Sequence, residues 1–179
     1  MGEKAVLSGV VTKRRLFFFV SSALVALAVV SLLWASLSKP ATVFDEAFEL
    51  FGLDDLAGCP GFDEQKEIFL LQRGPLVRAS QQDTKTLSTH WDKFLSSPRG
   101  ERPEGCEWTI TLYPIGFIAT GKSTVIVLNP SDSVLGAPLP EGTTGDFVMD
   151  VNRYSDTSLG AFRGAATIPP RSLAVIALR

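Results

Sequence analysis

Hydrophobic and polar positions divide the chain into three stretches. Positions 16–37 read LFFFVSSALVALAVVSLLWASL, without a single charge. About 20 apolar residues at 1.5 Å rise each span the roughly 30 Å hydrocarbon core of a bilayer, so this run predicts one transmembrane helix. From position 43 the pattern becomes helical. VFDEAFELFGLDDL (43–56) places Phe44, Ala47, Phe48 and Phe51 on one face and Asp45, Glu46 and Glu49 between them, an amphipathic helix that breaks near Gly52. EIFLL (67–71) reads as a strand, and TLSTHWDKFL (86–95) as a short helix with Leu87, Trp91, Phe94 and Leu95 on one side. SSPRGERPEG (96–105) is a polar loop rich in Pro and Gly.

Beyond position 106 the period falls to two. EWTITLYPI (107–115) alternates Trp108, Ile110 and Leu112 against Thr109, Thr111 and Tyr113. TVIVL (124–128) reads as a buried strand and FVMDV (147–151) as another. A further strand falls within 161–168, and LAVIAL (173–178) closes the series. Asn129-Pro130-Ser131-Asp132, the Pro/Gly-rich 138–142 and Ile168-Pro169-Pro170-Arg171 punctuate them. The fold class this predicts is a single N-terminal transmembrane helix followed by a β-rich exported domain, an antiparallel β-sandwich or α+β fold with one or two short helices. The expected organisation is a basic tail at 1–15, the span at 16–37, a linker and mixed helical and strand segment at 38–106, and an antiparallel β segment of the same domain at 107–179.

Charge orients the span. Lys13, Arg14 and Arg15 precede it directly, and positive residues stay on the cytoplasmic side. The expectation is a type II single-pass signal-anchor with a cytoplasmic N-terminus and an extracytoplasmic C-terminal domain. A cleaved signal peptide is the rival reading. Its apolar core is about 7 to 15 residues, shorter than this run, and no strong small-x-small site follows. Trp34 suits an interfacial anchor. The 179-residue chain carries 17 Lys and Arg against 19 Asp and Glu. With Glu3, Lys4, Lys13, Arg14 and Arg15 in the tail, the exported part keeps 13 basic and 18 acidic residues, net −5. Nucleic acid is not an expected partner, because phosphate binding needs a concentrated basic footprint.

Cys59 and Cys106 are the only cysteines and both lie beyond the span. In an exported domain a disulfide between them is the expectation. They form no Cys-x-x-Cys pair, and with the single His90 they lack the spacing of a closed zinc site, so no metal or cofactor is expected. His90 beside Trp91 reads as a packed or half-exposed side chain, not a catalytic one. No G-x-S-x-G elbow occurs, and Pro130 disqualifies Asn129 as a glycosylation acceptor.

One motif invites a stronger claim. Gly116-Phe-Ile-Ala-Thr-Gly121-Lys122-Ser123 fits the phosphate-loop pattern G-x-x-x-x-G-K-[ST] letter for letter. Such a loop must open a helix, whose N-terminal amides complete the anion site. Here a β-branched run follows, and Asn129-Pro130 would stop a helix within two turns. The motif therefore reads as a Gly-bounded turn between strands, with nucleotide binding by Gly116, Gly121, Lys122 and Ser123 the least favoured function.

Two segments resemble a known family. VIVLNPSD (125–132) and IPPRSLAVIAL (168–178) look like the strand-and-turn signatures of the C-terminal β-domain of α-amylase-type glycoside hydrolases. The heavy chain of heteromeric amino-acid transporters is also similar in architecture, with a short tail, one span and an amylase-like ectodomain. The catalytic barrel of the hydrolases has no counterpart here, so the resemblance carries over no catalytic residue. It implies a β-sandwich with a binding or scaffolding role. The expected function is a non-catalytic accessory or structural subunit of a membrane-bound assembly with a membrane-protein partner; the Phe44, Phe48 and Phe51 face is expected to pack on the domain or a neighbour, with docking of the partner there as the sharper alternative. The alternative is a carbohydrate-binding or cell-envelope module, with Trp108 and Tyr113 as ligand-facing aromatics.

Overall fold

A computed structural model of the protein describes residues 43–72 and 81–179. The basic tail and the apolar run at 16–37 lie outside the described residues. No helix among the described residues is long and apolar enough to cross a membrane.

Helix α1 (Val43–Leu50) starts with Asp45 and Glu46 in its first turn, where carboxylates complement the helix dipole. Gly52 ends it at φ 71°, a left-handed conformation that a side chain would disfavour, and a 3₁₀ turn (Leu53–Leu56) follows. Helix α2 (Phe62–Gln72) absorbs the expected strand at 67–71. Short apolar runs do not separate strand from helix. Phe62, Gln65 and Phe69 face the core at spacings of three and seven, while Leu70 and Leu71 point outward. Helix α3 (Gln81–Leu95) contains the predicted helix at 86–95 and begins earlier.

Eight antiparallel strands follow, in the order β1-β2-β3-β8-β5-β6-β7-β4. They are β1 (Thr109–Thr111), β2 (Phe117–Thr120), β3 (Thr124–Asn129), β4 (Leu135–Pro138), β5 (Thr144–Met149), β6 (Gly160–Arg163), β7 (Ala165–Ile168) and β8 (Ser172–Leu178). The expected strand at 107–115 shrinks to three residues, because Gly105–Glu107 form a 3₁₀ turn and Gly116 turns the chain at φ 77°. The one strand expected within 161–168 is two, bent apart at Gly164.

β3 and β8 pair over six residues, from Thr124 opposite Ala177 to Asn129 opposite Ser172. Their side chains alternate between two cores. Ile126, Leu128, Leu173 and Val175 face a layer that holds the aromatic residues of α1, α2 and α3. Val125, Val127, Ala174 and Ile176 face Leu135 and Ala137 of β4 and Ala166 and Ile168 of β7. Strands buried on both faces read as continuous apolar runs, which is why these two were visible in sequence. The mixed segment before position 107 and the β segment after it share the first core.

Candidate functional site

The phosphate-loop pattern falls on β2, the turn after it and the start of β3. Thr120 pairs with Val125 across the turn, and Thr124 begins a strand where a phosphate loop begins a helix. The amides expected to cradle phosphate are engaged within the chain. Glu101 accepts hydrogen bonds from the backbone N–H of Lys122 (3.0 Å) and Ser123 (2.8 Å) and from the Ser123 hydroxyl (2.9 Å). The Lys122 ammonium lies 2.5 Å from Glu107 on the surface. That hydrogen bond, then the attraction between the charges, raises the Lys122 pKa and lowers that of Glu107. An incoming phosphate would have to displace the Glu101 carboxylate.

The glycines of the motif have local reasons as well. A Cβ on Gly116 would stand 2.5 Å from the Leu128 carbonyl oxygen, and one on Gly121 2.7 Å from the Glu101 carboxylate and the Trp108 ring.

The structure places the other expected residues as follows. Cys59 and Cys106 form a disulfide, with Cα atoms 5.2 Å apart. Phe44, Phe48 and Phe51 do not form an outward face: all three are buried in the domain's own core. The Phe48 ring sits 5.5 Å from Phe69 and 5.0 Å from Phe117, and Phe51 packs on Trp91 at 4.5 Å. Trp108 is buried too, so it presents no platform to a ligand. Tyr113 is half-buried, and its backbone N–H donates to Gln65.

Three polar clusters are not visible in the sequence because each depends on partners about 30 to 60 residues away. Gln65, fully buried, accepts from the Tyr113 N–H at 2.6 Å and donates to the carbonyls of Gly116 (2.5 Å) and Tyr113 (3.2 Å). Asn129, also fully buried, aims its amide nitrogen at the carbonyls of Ser133 (2.9 Å), Ile168 (3.2 Å) and Pro169 (2.8 Å). Its oxygen accepts from the Ser131 hydroxyl at 2.8 Å. Beside it Arg171 grips Asp132 with two hydrogen bonds, of 2.6 and 3.0 Å, which lowers the Asp132 pKa. The third cluster centres on Asp146, a buried carboxylate that accepts from Arg99 (3.0 Å) and from Arg179. Arg99 also donates to the backbone carbonyls of Asp156 and Thr157.

A concave surface lies beside this third cluster, with Arg99 in its lining. It is an open groove of about 1230 Å³ between the C-terminal half of α3 and the connection from β5 to β6. Thr89, Ser96, Ser97, Tyr154, Ser155 and Thr157 line it, together with Asp92, Lys93 and Asp156. The Tyr154 hydroxyl donates to Asp156 at 2.6 Å. Burial first, and then Asp156, raise the Tyr154 pKa. No group of three or more His, Cys, Asp or Glu side chains suited to a metal occurs among the described residues.

No known protein family matches the chain, and no curated protein matches it at a significant level.

Proposed function

We propose that this chain is a type II, single-pass membrane protein whose extracytoplasmic domain is a non-catalytic accessory or structural subunit of a membrane-bound assembly. The disulfide between Cys59 and Cys106 carries the reading. Disulfides persist in oxidising compartments and are rare in the cytosol. An oxidising location for the domain agrees with the basic residues ahead of the apolar run at 16–37. A second support is the use of polar side chains. Glu101, Gln65, Asn129 and Asp146 are spent on fixing backbone or neighbouring arginines. The packing of Leu135, Ala137, Ala166 and Ile168 of β4 and β7 on Val125, Val127, Ala174 and Ile176 of β3 and β8 supports a sandwich-like reading of the domain.

The test is native mass measurement of the full-length chain in mild detergent. A stoichiometric membrane-protein partner supports the subunit reading, and a monomer that brings no partner overturns it. A second reading, a module for a polyhydroxylated ligand, is favoured by the groove lined by Ser, Thr and Tyr residues between α3 and the β5–β6 connection. Glycan-array binding that Tyr154→Ala abolishes would support it, and an array without signal would refute it.

A further inference from the structure

Strand β4 ends the sheet order and pairs with β7. The phase of that ladder fixes which of its backbone groups face outward. Opposed residues in antiparallel strands alternate between pairs that exchange hydrogen bonds and pairs that do not. Leu139, one step past β4, donates its N–H to the Gly164 carbonyl at 2.9 Å, one step ahead of β7. The bonded positions are therefore Leu135 and Ala137, opposite Ile168 and Ala166. Gly136 and Pro138 turn their backbone groups away from β7. Pro138 thus removes no donor from the ladder, which is where an edge strand tolerates proline. Side chains alternate in the same way: Leu135 and Ala137 are buried, whereas Gly136 and Pro138 are exposed. Val134, just ahead of the strand, is 58% exposed.

Folded proteins shield sheet edges with charge, shortness or a covering segment. At the other end of the order β1 has three residues, and a Cβ on Gly61, ahead of α2, would stand 3.6 Å from the Ile110 carbonyl oxygen. β4 is open by contrast. Positions 133–140 read SVLGAPLP, without a charge, and a Cβ on Gly136 would meet nothing within 4 Å.

We propose that β4 pairs antiparallel with β4 of a second copy of this chain, about a two-fold axis at Gly136. The occupant follows from the strand's fit to itself, since a two-fold interface sets one surface against the same surface. Gly136 exchanges both backbone hydrogen bonds with Gly136 of the second copy. The Val134 N–H donates to the Pro138 carbonyl of the second copy. Val134 and the Pro138 ring then stand opposite each other, so an exposed apolar side chain gains an apolar cross-strand neighbour. No like charges meet within 133–140. An axis at Pro138 would oppose two residues without donors, so Gly136 sets the register. This pairing goes beyond the subunit reading and does not depend on it.

The experiment uses the full-length chain in mild detergent. Both native cysteines are held in the disulfide, so an introduced cysteine is the sole free thiol. Cα atoms of a bonded antiparallel pair stand about 5.5 Å apart, within disulfide reach. Under copper phenanthroline, Gly136→Cys should give a linked homodimer about tenfold faster than Val134→Cys, whose two copies would lie four residues apart along the strands, roughly 14 Å. Val134→Cys mixed with Pro138→Cys should link to each other, and neither to itself. Gly136→Lys, in open space, sets two like charges at the axis; added to both chains of that mixture, it should slow their linkage about fivefold and leave the near-UV circular dichroism unchanged. Equal rates at 136 and 134, or a mixture that links no faster than either chain alone, overturn the inference. Linkage of Gly136→Cys to a different protein also overturns it, because a foreign strand then holds the edge.

Discussion

Replacement of Asn129 by Asp tests whether the two segments of the β3–β4 and β7–β8 turns are held by one buried amide. The substitution exchanges an NH₂ group for an oxygen at constant shape. That oxygen would face the carbonyls of Ser133, Ile168 and Pro169 at about the 2.8 to 3.2 Å now occupied by donated hydrogen bonds. Two N–H donors are lost, each with a net worth of about 1 kcal/mol, and buried carbonyls left without donors add roughly 1 to 3 kcal/mol. A total loss of about 3 to 5 kcal/mol is a large share of the ~5 to 15 kcal/mol that holds a domain folded. At about 3 °C per kcal/mol for a domain of this size, Tm should fall by roughly 10 to 15 °C at pH 7. The loss also depends on pH. Burial among carbonyl oxygens raises the folded-state pKa of the new carboxyl above its unfolded value of about 3.9. The variant's deficit is therefore smallest below about pH 4 and grows as pH rises towards the folded pKa. Asn129→Ala lacks the charge and should show a deficit that does not change with pH. The assay is thermal unfolding of the full-length chain in mild detergent, followed by near-UV circular dichroism at pH 4 and pH 7 against the parent. A fall of less than 3 °C, or an equal deficit at both pH values, would refute the reasoning.

Glu101→Ala removes the acceptor for three hydrogen bonds at the β2–β3 turn, so the chain should lose about 2 kcal/mol in urea unfolding, and the Lys122 and Ser123 amides should exchange faster; an unchanged midpoint would show that solvent replaces the carboxylate without loss. Opening the Cys59–Cys106 loop, 47 residues apart in sequence, by a double Ser substitution should lower stability by roughly 3 to 4 kcal/mol. Maleimide labelling of the freshly isolated, unreduced chain should find no thiol, and stoichiometric labelling would contradict an oxidising compartment. Gly121→Ala should destabilise by about 1 to 3 kcal/mol through overpacking against Glu101 and Trp108, whereas Gly136→Ala, which meets nothing within 4 Å, should leave Tm within about 2 °C; equal effects at the two sites would discredit the packing account of the motif.

Legibility in the sequence followed the range of the forces involved. β3, β8 and the second half of α3 announce themselves because burial on two faces, or on one helical stripe, writes a local pattern. Periodicity alone located the Phe44, Phe48 and Phe51 stripe but not its cover, which comes from Phe69, Trp91 and Phe117 at distances no local pattern encodes. The strand Phe117–Thr120 was obscured by letters that fit a phosphate loop, and EIFLL by its shortness. Gln65, Asn129 and Asp146 were illegible for one reason: a buried polar residue differs from a surface one only through partners far along the chain.

The polar stretch at 96–105 shows how misleading local composition becomes once tertiary partners are known. Rich in Pro, Gly and charge, it reads as a polar loop ahead of the change to a β pattern. In the structure it works as a brace. Arg99 ties it to Asp146 on β5, Glu101 to the β2–β3 turn, buried Pro103 to the interior, and the adjoining Cys106 to Cys59 behind α1. Gly100 makes the path feasible, since a Cβ there would stand 2.3 Å from the Phe94 carbonyl oxygen. These attachments fall within eight residues and reach a strand, a turn and the helical layer. A cut or a long insertion here should therefore loosen α1 and α3 from the sheet as one step, where an ordinary linker would tolerate either change. The residues spent on the brace include the Glu101 that occupies the would-be phosphate site. The letters of a nucleotide motif thus stand on a turn between two antiparallel strands that receives a carboxylate from its own chain.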